Sequence, residues 1–306
     1  MVSAHRDFEG YRGRPPDPKW PDGARLAISF VVNVEEGAEL FVGDGDERNE
    51  SIHEIMQVVQ GVPDFCMASH FEYGTRAGYW RIADLLDRYG VRATFSSSGR
   101  AVERNPWLAR DALERGHEIA AHGWRWEGQA EMEEAAERDM IARTYLAIEG
   151  VCGAPPAGWH TKSSPSVNTR RLLVEHGGFA YDSDAYDDDL PYTVEVAGKS
   201  HVVLPYAFDT NDMRFQAGRG FDHAGDFARY CVDAFEWLWE EGARTPRMMS
   251  VGLHLRIIGR PGRIAGLDRL LAAVTSREGV WIARRDAIAR HWRERMGIAS
   301  GWTATP

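Results

Sequence analysis

Short apolar runs alternate with segments of helical period from residue 26 to residue 295, and a chain with that rhythm is driven toward a parallel sheet covered by helices. The first run, 26–34, is almost continuously apolar and suits a strand buried on both faces. Further strands are expected at 92–96, 117–121, around Gly158-Trp159, and at 181–183, 201–205, 248–255 and 279–283. Helices are expected at 78–89, 105–116, 131–149, 166–176, 224–241, 267–274 and 286–295. In the first of these, Tyr79, Ile82, Leu86 and Tyr89 recur at helical spacing and Gly90 is the stop; Asn105-Pro106 opens the second. With about seven such units the best packing solution is a closed or nearly closed barrel. The expected fold is therefore α/β, a distorted (β/α) barrel of about seven parallel strands. No linker or internal repeat marks a boundary, so one domain is expected over 1–306, with 1–24 as an N-terminal extension.

Charge removes several partners. The formal net charge of -10 leaves no basic patch to neutralise phosphates, which argues against nucleic acid. No apolar run reaches membrane-spanning length, and the Pro- and Arg-rich first 20 residues lack the apolar stretch of a signal peptide. Cys66, Cys152 and Cys231 are widely spaced and read as reduced thiols. A cytoplasmic protein without a membrane partner is expected.

Polar groups gather where strands should end. The first strand runs into Asn33-Val34-Glu35-Glu36-Gly37, the third into His122-Gly123-Trp124-Arg125-Trp126, and a late one holds Gly252-Leu253-His254. In a parallel barrel these groups converge on one mouth. Strand geometry lets only one of Glu35 and Glu36 face the interior, leaving the other at the rim or a neighbouring loop. A carboxylate crowded by another and partly desolvated has a raised pKa, which suits a general base. Taken singly, each residue is as well explained by a solvated loop or a satisfied structural histidine; together at corresponding strand ends they point to a site.

Over about residues 25–292 the chain resembles the polysaccharide deacetylase superfamily, and within it the cofactor-independent allantoinase branch. In the metal-dependent deacetylases the first strand ends Thr-Phe-Asp-Asp-Gly, with a base followed by a metal ligand; Val34-Glu35-Glu36-Gly37 stands there. Two further ligands come from His-x-x-x-His, whose first member matches His122 and whose second position is Trp126. An indole has no lone pair for a metal, so no metal site and no cofactor are expected. The allantoinase branch is similar in Glu35-Glu36-Gly37, in 122–126, in Glu72-Tyr73-Gly74-Thr75-Arg76-Ala77-Gly78, in Asn168-Thr169-Arg170-Arg171, in 181–186, in 209–215 and in Gly252-Leu253-His254. It differs at three places: Val34 and His160 replace tyrosines and Leu255 replaces a cysteine.

The resemblance implies hydrolysis of a cyclic ureide or imide, allantoin foremost, by a homo-oligomer. It assigns the base to Glu35, with Glu36 orienting water or substrate and His122 and His254 polarising the carbonyl and donating a proton. Glu72, Tyr73, Arg76, Trp126, Trp159, His160, Asn211 and Asp212 are the expected substrate contacts, Arg76 gripping oxygens with its planar fork and the indoles walling a flat pocket. Open alternatives are a cyclic imide or other small-amide hydrolase, a metal-dependent polysaccharide N-deacetylase, and a binding protein on a degenerate barrel.

Overall fold

A computed structural model describes residues 6–52, 59–162, 164–216, 218 and 220–298. Its strands are β1 (Leu26–Val34), β2 (Thr94–Ser97), β3 (Glu118–Ala121), β4 (Gly158–Trp159), β5 (Tyr181–Asp182), β6 (Tyr192–Val196), β7 (Lys199–Val203), β8 (Arg247–His254) and β9 (Val280–Ile282). They form one curled sheet in the order β6-β7-β5-β4-β3-β2-β1-β8, with β9 also on β1. Every pairing is parallel except that of β6 with β7. The central strand is shared along its length: β9 pairs with Leu26, Ala27 and Ile28, and β2 with Val31 to Val34. This is the deacetylase-like (β/α) barrel with most of its helices on the outside, as expected.

All nine residues of β1 are buried, and they alternate in purpose. Ile28, Phe30, Val32 and Val34 belong to the main apolar cluster with the helix residues Ile82, Leu86, Leu267 and Leu270. Ser29, Val31, Asn33 and Glu35 point into the barrel, where they meet Arg285, the interior and the mouth. A second apolar cluster, including Trp20, Ala27, Met248, Ile288 and Trp292, seals the end where strands begin.

The barrel does not close by strand pairing between β7 and β8. The chain after β7 fills the gap: Gly252 N–H donates to the Thr210 carbonyl at 3.0 Å and Thr210 Oγ1 donates to the Ser250 carbonyl at 2.6 Å. Arg285, from the start of the helix Arg285–Arg295, reaches into the same gap and is fully buried. Its Nε donates to Ser183 Oγ, Nη1 to Ser29 and Ser250 Oγ, and Nη2 to the carbonyls of Leu204 and Pro205. All five guanidinium donors are thus satisfied by neutral acceptors from β1, β8 and the ends of β5 and β7.

Several elements lie outside the sequence-based reading, among them short helices at Gly99–Arg104 and Leu255–Ile258. The strand β6 turns back on β7 through Ala197 and Gly198, both at positive φ, and its alternate residues are exposed. A helix at Phe65–Tyr73 runs through a single wide turn, Gly74–Gly78, into the expected helix, here Tyr79–Arg88. Glycine is required at both ends of that turn: a Cβ on Gly74 would lie 2.3 Å from Glu36 Oε1, and one on Gly78 2.1 Å from the Leu255 carbonyl. The wide turn therefore lets this helix pair press directly on the strand ends that carry the polar groups. Among the described residues no helix is long and apolar enough to cross a membrane.

Candidate active site

Glu35 is placed by the inward register at the end of β1, and Glu36, one residue on, turns away against Gly74. Both are only 2% exposed. The strand β8 ends at His254 and passes into a single helical turn, Leu255–Ile258, which brings Arg256 back over the mouth. Arg256 Nη1 lies 2.7 Å from Glu35 Oε2 and 3.5 Å from Glu36 Oε1. Glu36 Oε2 accepts the Glu35 backbone N–H at 3.0 Å.

Two imidazoles flank Glu35 Oε1, with His122 Nε2 at 3.4 Å and His254 Nε2 at 3.6 Å. Each ring is held through its other nitrogen. His122 Nδ1 is 2.6 Å from the His160 carbonyl, which only accepts, so Nδ1 carries the proton. His254 Nδ1 is 2.6 Å from Asp212 Oδ1, while Asp212 Oδ2 accepts the backbone N–H groups of His254 and Ile258. Asp212 thereby fixes both the ring and the turn that follows it.

Burial by itself would raise the Glu35 pKa, but Arg256, His254 and His122 outweigh it and hold the carboxyl well below its ordinary range. Burial, reinforced by neighbouring Glu35, pushes Glu36 up to about 7 against the pull of Arg256. Burial would depress His254, yet Asp212 and Glu35 raise it above its ordinary value, favouring the imidazolium. His160 is driven well below the ordinary histidine range by burial, His122 and Arg285, and stays neutral.

The cleft these groups floor is small and half-open, rimmed by Trp126, Tyr186, Tyr206 and Phe208. Of the expected contacts, Trp126, His160 and Asn211 line it. Asp212 does not; it lies fully buried behind His254. Trp159 has no exposed surface and donates to Thr161 Oγ1; it lines the barrel interior below and not this cleft. Glu72 and Arg76 face each other at 3.5 Å with side chains 59% and 77% exposed, an ordinary i, i+4 surface pair. Tyr73 accepts a hydrogen bond from Arg81 and stacks under Arg260, outside the cleft. Glu36 lines a separate outer recess with Glu39, Glu72 and Arg104.

Sequence reasoning missed Arg256 and the aromatic rim. Tyr206 hydroxyl accepts from Asn33 Nδ2 at 3.1 Å, Tyr186 stacks on Phe208 at 3.9 Å, and Lys162 Nζ lies 3.7 Å from the Trp126 ring centre. Of the three departures from the allantoinase pattern, Val34 packs outward and Leu255 is fully buried; His160 alone reaches the cleft.

A divalent metal, implied by the deacetylase resemblance, does not fit these residues. Trp126 stands where a second histidine is needed, and the cation lying between Glu35 and Glu36 is a guanidinium. Among the described residues no group of three or more His, Cys, Asp or Glu side chains is arranged to hold a metal ion.

The polysaccharide deacetylase family model matches residues 60–177. A Schizosaccharomyces pombe protein named "Putative polysaccharide deacetylase" is 37% identical, across 94% of this chain and 96% of its own. A crystal structure of a "probable Polysaccharide deacetylase" from Pseudomonas aeruginosa PAO1 superimposes with a TM-score of 0.91 at 46% identity, covering 94% of this chain and 98% of that one. The crystal structure of PuuE allantoinase superimposes equally well, with a TM-score of 0.91 at 43% identity over 97% of this chain and 99% of the other. Sharing the curled parallel barrel along nearly its whole length with such relatives, this chain belongs to the polysaccharide deacetylase family.

Proposed function

We propose that the chain hydrolyses a carbon–nitrogen bond in a small cyclic amide, allantoin opening to allantoate being the leading case, and that it does so without a metal. The observation that carries this is the unit of Glu35 between two oriented imidazoles at the floor of a small aromatic-rimmed cleft. A small cleft with aromatic residues on its rim suits one flat ring better than a glycan chain. The 43% identity to an allantoinase supports the substrate class. His160, at the one departure that meets the cleft, is where a substrate difference from that branch would arise.

The electrostatics move the base away from Glu35. A carboxylate held ionised by Arg256 is a weak proton acceptor, but it accepts a hydrogen bond from water and stabilises positive charge beside it. His122, with Nδ1–H pinned to a carbonyl, has Nε2 as the nitrogen that exchanges its proton beside Glu35, and in its neutral form it takes the proton as water attacks the substrate carbonyl. His254, kept protonated by Asp212, faces the developing oxyanion with Nε2–H. Its proton then passes to the leaving nitrogen, so that water is divided between the acyl carbon and the amide nitrogen.

Chelator-treated protein offered allantoin, hydantoins, dihydropyrimidines, succinimide and N-acetylglucosamine oligomers is expected to open a cyclic amide and leave the oligomers intact. Deacetylation of the oligomers, or turnover that vanishes on chelation and returns with a divalent ion, would overturn the proposal.

A further inference from the structure

Three buried carboxylates, Glu35, Glu36 and Asp212, crowd the strand ends, and such a cluster is unsustainable without positive charge. His254 is held by Asp212. Among the described residues Arg256 is the cation that touches both glutamates, at 2.7 Å and 3.5 Å, while being 4% exposed itself. Its guanidinium also has aromatic faces beside it: the Cζ is 4.4 Å from the Phe71 ring centre and 5.3 Å from that of Trp126. An aromatic face favours a cation, most of all where water is excluded. The indole that cannot ligate a metal is thus placed to stabilise an organic cation.

We propose that Arg256 is the resident cation of this cleft, a positioning residue that holds Glu35 and Glu36 in place as a metal ion would, with Trp126 as one of its supporting faces. Its activity consequence rests on the hydrolase reading above; its consequence for metal binding does not. A divalent ion entering beside Glu35 would be set against a fixed guanidinium at short range, so Arg256 excludes metal more strongly than the loss of one histidine does.

The test uses the full chain in four forms: Arg256→Ala, Arg256→Lys, Trp126→His and the double variant Trp126→His/Arg256→Ala. In Arg256→Ala, kcat on the cyclic amide is expected to fall on the order of 100-fold or more while KM moves far less, because the guanidinium meets Glu35 and not the substrate. Millimolar methylguanidinium should restore at least about tenfold of that loss, the size of a single well-placed charge contact of about 1.4 kcal/mol. By calorimetry, Trp126→His should take up no zinc, whereas the double variant should bind about one equivalent. Near-normal kcat in Arg256→Ala, absence of rescue, zinc bound by Trp126→His with Arg256 intact, or none bound by the double variant would each overturn the proposal. Should Arg256→Ala not fold, Arg256→Lys carries the test, because a cation of shorter reach should fold and turn over at least about tenfold slower; wild-type kcat in it counts against the inference. If the unaltered protein opens no cyclic amide, the functional reading fails and the zinc measurements still decide this one.

Discussion

Glu36→Gln should make the protein more stable, and increasingly so as the pH rises from 4.5 to 7. The side chain is buried against Gly74 and its pKa is raised from 4.5 to about 7 by burial and by Glu35. Below pH 4.5 the folded and unfolded chains both hold the proton, and Glu36 contributes no pH dependence. Between 4.5 and 7 the unfolded chain releases it while the folded chain retains it, so stability falls as pH rises. Above 7 the full penalty is present. At about 1.4 kcal/mol per pH unit it amounts to about 3 kcal/mol, an upper figure because the buried site relaxes when it ionises. Glutamine keeps an oxygen to accept the Glu35 backbone N–H and cannot ionise. Urea unfolding of both proteins at pH 4.5, 5.5, 6.5 and 8 isolates the difference, since every other titrating group is common to them. The gap in unfolding free energy should widen by about 1–3 kcal/mol in favour of Gln and then level off. A gap that stays flat, or closes with rising pH, would show that Glu36 is ionised in the fold throughout and that this electrostatic account is wrong.

Asp212→Asn removes the charge that raises the His254 pKa, so kcat should drop by about two to four orders of magnitude and the alkaline limb of the pH profile should move to lower pH; an unmoved limb would separate His254 from proton donation. Arg285→Met strips the gap between β7 and β8 of five hydrogen bonds and leaves buried oxygens unpaired, which should cost at least about 3 kcal/mol in urea unfolding; an unchanged midpoint would mean that the chain after β7 closes the barrel alone. Arg76→Ala should change turnover and stability by no more than about 0.5 kcal/mol, as for most exposed ion pairs, and a large rise in KM would return Arg76 to the substrate.

What the sequence displays of this fold is what periodicity displays. The strand at the barrel centre is legible because both of its faces are covered, which forces nine nearly unbroken apolar residues. By contrast, β6 carries Thr193 and Glu195 on an exposed side and lies in a short hairpin, so its alternation over five residues is easily lost among loops. The closure of the barrel is written in no local pattern at all. Arg285 sits among Ala283, Arg284 and Asp286, a string typical of a charged helix start, and only the three-dimensional gap between β7 and β8 draws its guanidinium inside. The site divides in the same way. Strand-end polar groups were visible because a barrel brings strand ends together, whereas Glu72 and Arg76 were proposed from resemblance although their i, i+4 spacing suits a surface pair. Arg256 did leave a signal: it is the one charge in the otherwise apolar or uncharged stretch from Met248 to Ile258, apart from the histidine at its centre, and a lone arginine there is buried with a partner.

Three histidines meet in one cleft, and what lies behind each ring separates their chemistry. His254 has a carboxylate behind it, which favours its charged form and makes Nε2 a donor. His122 has a backbone carbonyl behind it, which fixes the proton on Nδ1 and leaves Nε2, beside Glu35, as the nitrogen that exchanges its proton. His160 stacks on His122 at 5.0 Å and is kept uncharged first by burial, then by His122 above it and by the Arg285 guanidinium below. The strut that completes the barrel therefore also helps prevent a second imidazolium from forming beside His122, where it would oppose proton uptake from water.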